Sequence, residues 1–287
     1  MQECFLPHYN ERQTPVDMLV LHATCHADAH EVFESLDKLE LSCHYFVDLN
    51  GRITRMVDEQ KRAWHAGAVY WQGIDTDLNS HSIGIEIGNL SLGQQDFAEA
   101  QIEKLIPFCR KLIKIYNLDP RRIVAHSDIA PTRKPDPGIR FPWKRLAREG
   151  IGLWYQLRNA EKIGVNDPAE LLKIICYDTR DEEKTIASAY AFRRRFLPQE
   201  VAVDPDIKHL VDNVYPVGRR ELLQGERFIR TLKAVAYSYA DKSYAPFFAS
   251  PSNTSRTFFH FRLPFLLSFS ALFLLFFLSS SGATRIG

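Results

Sequence analysis

Asp17-Met18-Leu19-Val20-Leu21-His22 is an apolar run that ends in an imidazole, and Arg122-Ile123-Val124-Ala125-His126 repeats the arrangement far downstream. Each run reads as a buried strand of a sheet. The second continues into Ser127-Asp128-Ile129-Ala130-Pro131-Thr132-Arg133-Lys134-Pro135-Asp136-Pro137-Gly138. A lone histidine at a strand end is more often structural. Two strands that end alike can converge their imidazoles, and Asp136 can fold back as a third ligand. Pro131, Pro135 and Pro137 stiffen its loop and limit the entropy lost in holding it. Two imidazoles and a carboxylate are the inventory of a hydrolytic zinc site, one ion per chain, with one coordination position open.

Outward from this pair, strand-like and helix-like patterns alternate through residues 1–158. Further strand candidates are 45–48, leading into the turn Asn50-Gly51, and 83–87. A helix is expected over roughly 31–39. A longer one carries Ile102, Leu105, Ile106, Cys109, Leu112, Ile113 and Tyr116 at helical spacing. Asp96 and Glu99 suggest its capping box, Asn117 its C-cap, and Pro107 a kink or break. The fold class is therefore α/β, a sheet with helices packed on it and active residues at strand ends and in the loops that follow. Residues 159–240 change to helix without strand, with candidates at 168–176, 181–196, 206–213 and 218–239 and a turn-rich connector at 198–206. They form a small all-helical second domain.

Residues 241–287 differ again. Ten of the 19 phenylalanines fall between Phe247 and Phe277, and 263–284 carries no charge. Its apolar core, 264–278, is shorter than the ~20 residues of a spanning helix. Two readings stand: a tail anchor bounded by Arg262 and Arg285, or an extension foreign to the rest. Membrane contact is expected only through 263–284. The net charge of +1 gives no reason to invoke nucleic acid. Five widely spaced cysteines with no CxxC pair support neither a disulfide framework nor a cysteine-zinc site. The N-terminus as written lacks a basic region followed by an apolar one. The expected address is cytoplasmic, with the cell envelope, through the tail, as the alternative. Oligomeric state is left open.

His22, His26 and His30 are spaced to share a helical face, as in zinc peptidases, but Ala23 stands where H-E-x-x-H needs glutamate, and His22 belongs to a strand. Hydrolysis at the strand-end site needs a base and an oxyanion partner. Glu86, in Ser82-Ile83-Gly84-Ile85-Glu86-Ile87-Gly88-Asn89, interrupts an apolar strand, where a carboxylate is costly unless it faces a cleft. It is the candidate base. Lys134, two residues before Asp136, is the candidate oxyanion stabiliser. Trp64, His65, Tyr70, Trp71 and Asn79 read as an aromatic, amide-bearing cleft wall suited to substrate binding.

The stretches LVLHAT, SCHYFVDLNGRI, AWHAG, LNSHSIGIEIGN and VAHSDIAPTRKPDPGIRFPW span residues 18–143. In this order they resemble the type 2 N-acetylmuramoyl-L-alanine amidases, the zinc amidase fold shared with peptidoglycan recognition proteins. The resemblance implies a mixed central β-sheet flanked by helices over 1–158 and zinc ligation by His22, His126 and Asp136. It also implies that Glu86 is the catalytic glutamate, Lys134 the transition-state lysine and Arg133 a substrate contact. Phage lysozyme-type relatives place a tyrosine where this chain has Cys43, so the base role falls to Glu86. Residues 159–240 resemble a degenerate peptidoglycan-binding domain through Ala189-Tyr190-Ala191-Phe192-Arg193-Arg194-Arg195-Phe196. The implied activity is cleavage of the amide between N-acetylmuramic acid, or its anhydro form, and L-alanine in peptidoglycan or muropeptides. A non-catalytic recognition protein on the same fold is the alternative, although such proteins typically lose a ligand that is retained here.

Overall fold

The computed structural model describes residues 1–240. The tail at 241–287, with its two readings, lies outside the described residues. In chain order the strands are β1 (Gln2–Glu3), β2 (Tyr9–Glu11), β3 (Met18–Thr24), β4 (Tyr45–Val47), β5 (Ile53–Arg55), β6 (Lys61–Ala63), β7 (Ser82–Gly88) and β8 (Ile123–Ala125). The main sheet has the order β1-β5-β4-β7-β3-β8. β4 and β5 run antiparallel and the other neighbouring pairs are parallel, so the sheet is mixed. β2 and β6 form a separate antiparallel ribbon.

The helices that follow β3 and flank β7 are α1 (Ala29–Lys38), α2 (Leu78–His81) and α3 (Glu99–Tyr116). After β8 come α4 (His126–Ile129) and α5 (Trp143–Arg148). The helical segment then contains α6 (Pro168–Ile175), α7 (Glu182–Phe196), α8 (Pro198–Val201), α9 (Lys208–Val211) and α10 (Glu226–Ala240). None of the described helices is long and apolar enough to cross a membrane.

Several local expectations change. The N-cap of α3 is Ala98, whose N–H donates to the Gln101 side chain at 3.0 Å. Asp96 instead accepts both arms of Arg140, 2.8 Å each, and so caps nothing. The helix runs through Pro107 unbroken, and Asn117 ends it in the left-handed conformation at φ 50°. The candidate at 206–213 shrinks to one turn, α9. The candidate at 218–239 splits into a 3-10 turn over Arg220–Leu223 and α10, with Gly225 at φ 109° between them.

The faces of the sheet follow from alternation. Leu19 and Leu21 of β3 and Ile83, Ile85 and Ile87 of β7 point to one side. There they bury Ile102, Leu105, Cys109 and Leu112 of α3. Met18 and Val20 of β3 and Val124 of β8 point to the other side. They share a cluster with Leu171, Leu172, Phe192, Phe228 and Leu232 of α6, α7 and α10. The result is helix, sheet, helix, and the second apolar layer crosses residue 158. His22 and Glu86 continue the second face toward the strand ends, beyond the cover of those helices.

Candidate metal centre

Strand register assembles the site. His22 of β3 lies opposite Glu86 of β7, and Leu21 opposite Ala125 of β8, so His126 emerges beside His22. The loop after α4 returns Asp136 to the same place, where its carbonyl accepts the N–H of Ser127 at 2.9 Å. Two glycines allow this return. A Cβ on Gly93 would lie 2.0 Å from the Pro137 carbonyl, and one on Gly138 would lie 2.5 Å from that of Leu92. Both residues have positive φ. Backbone packs directly on backbone there.

The three buried donors converge. His22 Nδ1 lies 2.9 Å from His126 Nδ1 and 3.4 Å from Asp136 Oδ2, and His126 Nδ1 lies 3.1 Å from the same oxygen. Tetrahedral bonds of ~2.0–2.1 Å imply ligand–ligand edges of about 3.3 Å, which these distances bracket. Together the three could hold one metal ion.

Hydrogen bonding fixes what each nitrogen offers. His126 Nε2 faces the Ala66 carbonyl at 3.1 Å and must donate to it, which leaves Nδ1 a bare lone pair. For His22 the assignment runs through a chain. Ser82 Oγ gives its proton to the Leu78 carbonyl at 2.8 Å, so it accepts from His65 Nε2 at 3.2 Å. His65 Nδ1 is therefore an acceptor, and His22 Nε2 donates to it at 3.0 Å. His22 Nδ1 is then also bare. Two lone pairs and a carboxylate oxygen crowd into one buried spot, and only a cation satisfies all three. The donor set fits zinc.

Glu86 stands beside this tripod, with Oε1 3.9 Å from His22 Nδ1. Its other oxygen is buried without a partner. Burial, reinforced by the Asp136 charge and opposed by Lys134, pushes its carboxyl up to about 8. His22 is pushed down to about 4, chiefly by burial and then by His126. Asp136 is held well below the usual carboxylate range. Burial alone would raise it, but the adjacent His126 and His22 more than offset that. Lys134 is half-buried in the ligand loop, close enough for its charge to act on both His22 and Glu86. Cys43 is sealed against Met56, and burial raises its thiol, so it offers no base.

The cleft-wall residues face inward more than their sequence suggested. Asn79 Oδ1 accepts the backbone N–H of His65 at 3.2 Å and of Ala66 at 2.9 Å. Arg133 donates to the carbonyls of Ala66 and Ala68, the latter at 2.9 Å. His65 orients His22, and Trp71 and Tyr70 lie away from the tripod, Trp71 in the helix-covered core and Tyr70 under Arg180. Trp64 remains partly exposed, with its indole N–H donating to Asn10 at 3.0 Å. The roles of His65 and Ser82 toward His22 were missed from sequence. The one available signal was the small-residue alternation Gly84-Glu86-Gly88, since a Cβ on Gly84 would lie 2.5 Å from His65 Cγ.

Residues 12–139 match the family model described as N-acetylmuramoyl-L-alanine amidase. N-acetylmuramoyl-L-alanine amidase AmiD of Escherichia coli K12 is 44% identical over 153 residues, which cover 48% of this chain and 55% of AmiD. The 1,6-anhydro-N-acetylmuramyl-L-alanine amidase AmpD of Haemophilus influenzae is 33% identical over 161 residues, 48% of this chain and 86% of AmpD. The chain thus spans about half of AmiD as aligned by sequence. The solved structure of E. coli AmiD with anhydro-N-acetylmuramic acid-L-Ala-D-gamma-Glu-L-Lys superposes with a TM-score of 0.63 at 28% identity, covering 82% of this chain and 99% of that one. With this family match, most of AmpD covered and a metal-ligand tripod in place, the chain belongs to the N-acetylmuramoyl-L-alanine amidase family.

Proposed function

We propose that this protein is a zinc-dependent N-acetylmuramoyl-L-alanine amidase that hydrolyses the amide between N-acetylmuramic acid, or its anhydro form, and L-alanine. The observation that carries the proposal is the partnerless Glu86 oxygen beside the His22–His126–Asp136 tripod. A buried carboxyl with no protein partner is costly unless its partner is a reactant. The substrate class is supported by the muropeptide bound to AmiD, the relative of similar structure. Residues 1–158 carry catalysis in this proposal, and zinc is the ion that His22, His126 and Asp136 would hold.

Bound there, zinc supplies a Lewis acid for the scissile carbonyl and acidifies attacking water. Glu86 accepts the water proton and returns it to the leaving amine of L-alanine. Burial raises the carboxyl's hold on a proton, which suits the return half of that transfer, and a cation held by the adjacent tripod would favour the ionised form that the first half needs. Lys134, half-buried beside the tripod in the ligand loop, is the group that would face the oxygen that gains charge. Trp64 and the edge of the His65–Gly67 loop are the proposed sugar-facing wall, and Arg133 contributes by holding that loop. Five free thiols, two of them buried, suit a reducing compartment, so we place the activity in the cytoplasm.

The test is mass spectrometry of products from anhydro-muropeptide and from intact sacculus, with and without chelator. Release of free stem peptide, lost on chelation and restored by zinc, is the expected result. Glu86→Gln should keep zinc bound at one equivalent while kcat falls at least ~100-fold, a general-base loss. Near-normal turnover in that variant would sink the assignment.

A further inference from the structure

Three consecutive arginines on α7, Arg193, Arg194 and Arg195, are buried, although arginine is almost never buried without a partner. Arg193 serves its own segment, donating to the Leu222 and Gln224 carbonyls. The other two reach out of it. Arg195 pairs with Asp128, two residues beyond His126, and neither side chain meets appreciable solvent. It also donates to the Ile123 carbonyl at 3.3 Å, with its guanidinium 3.9 Å above the Trp143 ring. Asp128 accepts in addition from the Ala125 N–H at 2.9 Å and from the Tyr177 hydroxyl at 2.5 Å. Arg194 is tied to the His209 carbonyl at 2.8 Å and approaches the Lys134 carbonyl at 3.5 Å.

The hydrogen-bonded anchor points on the sheet side, Ile123, Asp128 and Lys134, lie in the stretch that supplies His126 and Asp136. We infer that the helical segment clamps the metal-ligand loop, with Arg195 and Tyr177 closing on Asp128 and Arg194 on the Lys134 carbonyl, so that they act as positioning residues for two of three ligands. This rests on the tripod's being the metal site. A buried ion pair is weak evidence for stability as such. What distinguishes this one is its location. It ties the strand end before His126 to a second layer of structure, as hydrogen-bonding partners beyond the ligands do in metal sites. The helix that resembles part of a degenerate peptidoglycan-binding domain thereby has a positioning role.

The test measures cobalt and zinc affinity of the full chain by chelator competition, together with the visible spectrum of the cobalt form. Arg195→Met should weaken metal binding ~10–100-fold and alter the cobalt spectrum. Arg195→Lys, which keeps the charge, should recover part of that loss, and Tyr177→Phe should give a smaller weakening. Leu232→Ala, a core change in α10 that removes none of these hydrogen bonds, should lower the melting temperature yet leave affinity and spectrum alone. If Arg195→Met misfolds, the Lys and Phe variants carry the comparison. Affinity and spectrum within twofold of wild type in the Arg195 and Tyr177 variants would overturn the clamp. So would a loss that Leu232→Ala reproduces. A wild-type chain that binds cobalt but cuts no muropeptide would overturn the amidase assignment and leave the clamp standing.

Discussion

At the scale of single residues, four imidazole nitrogens of His22 and His65 are committed by one serine. Because Ser82 spends its proton on the Leu78 carbonyl, His65 can only accept from His22, and His22 can only present Nδ1 to the centre. Ser82→Ala frees His65 to flip its tautomer. Metal affinity should fall several-fold to tenfold in chelator competition, with far-UV circular dichroism unchanged; unchanged affinity would show that the chain is not needed to set the tautomer. His44 is a second test of buried neutral imidazole. Its Nδ1 accepts the Gly84 N–H at 3.0 Å, and its Nε2 lies between the Arg12 guanidinium at 2.7 Å and the Lys61 carbonyl at 3.1 Å. Burial, followed by the charge of Arg12, pushes it down to about 3. Folded His44 stays neutral while the unfolded residue protonates near pH 6.5, so stability is full above 6.5 and declines as pH falls toward 3. Between pH 6.5 and 5 the loss is about 2 kcal/mol. Urea unfolding of chelator-treated protein should show it. His44→Asn, which keeps an acceptor for Gly84, should lose less stability over that interval; an identical acid slope would refute the assignment.

At the scale of elements, β7 explains most of the site. Its odd positions, Ile83, Ile85 and Ile87, bury against α3, while Gly84, Glu86 and Gly88 face the other way. Gly84 yields its side-chain space to the His65 ring, and Gly88 to the His26 carbonyl, 2.6 Å from where a Cβ would sit. Glu86 is left alone in the cleft between them. Gly84→Ala should displace His65, costing about 1–3 kcal/mol of stability and weakening metal binding together; a loss of stability with intact affinity would separate ring packing from ligand orientation. This element also marks the limit of what was legible in the sequence. Alternation in β3 and β7 gave strands and faces, because period two is written in the residues themselves. Two runs ending in histidine suggested neighbours. The contacts of Asn79 and Arg133 with the backbone of the His65–Ala68 loop were not legible, since they depend on a loop folding over the sheet. β1, β2, β5 and β6 escaped notice because two or three residues carry no period, and partners rather than composition make them strands. The Asp96 cap failed for a similar reason: Arg140, far along the chain, competes for that carboxylate.

At the scale of the whole molecule, the apolar layer beneath the tripod belongs to both halves of the sequence. Met18, Val20 and Val124 pack with Leu171, Phe192, Phe228 and Leu232, and Trp71 lies edge-on to Tyr177 at 5.2 Å between ring centres. The change in pattern at residue 159 marks a change of secondary structure, and the boundary drawn there has no apolar gap beneath it. Sequence could not reveal this, because the apolar stripes of α6 and α10 do not name what they cover, and α7 is buried on all sides. The physical consequence concerns cooperativity. Segments that share one buried layer lose it together, since opening either exposes the apolar surface of the other. Urea unfolding of the full chain should therefore give one transition. Its midpoint should be the same by tryptophan fluorescence, where Trp71, Trp143 and Trp154 report on the shared layer and its edge, and by far-UV circular dichroism, where the helices of 159–240 weigh heavily. Leu232→Ala in α10 should move both midpoints together, with about 2–5 kcal/mol lost. Separate midpoints, or a shift seen by circular dichroism alone, would mean that the helices unfold as an independent module and that the sheet holds its cleft without them.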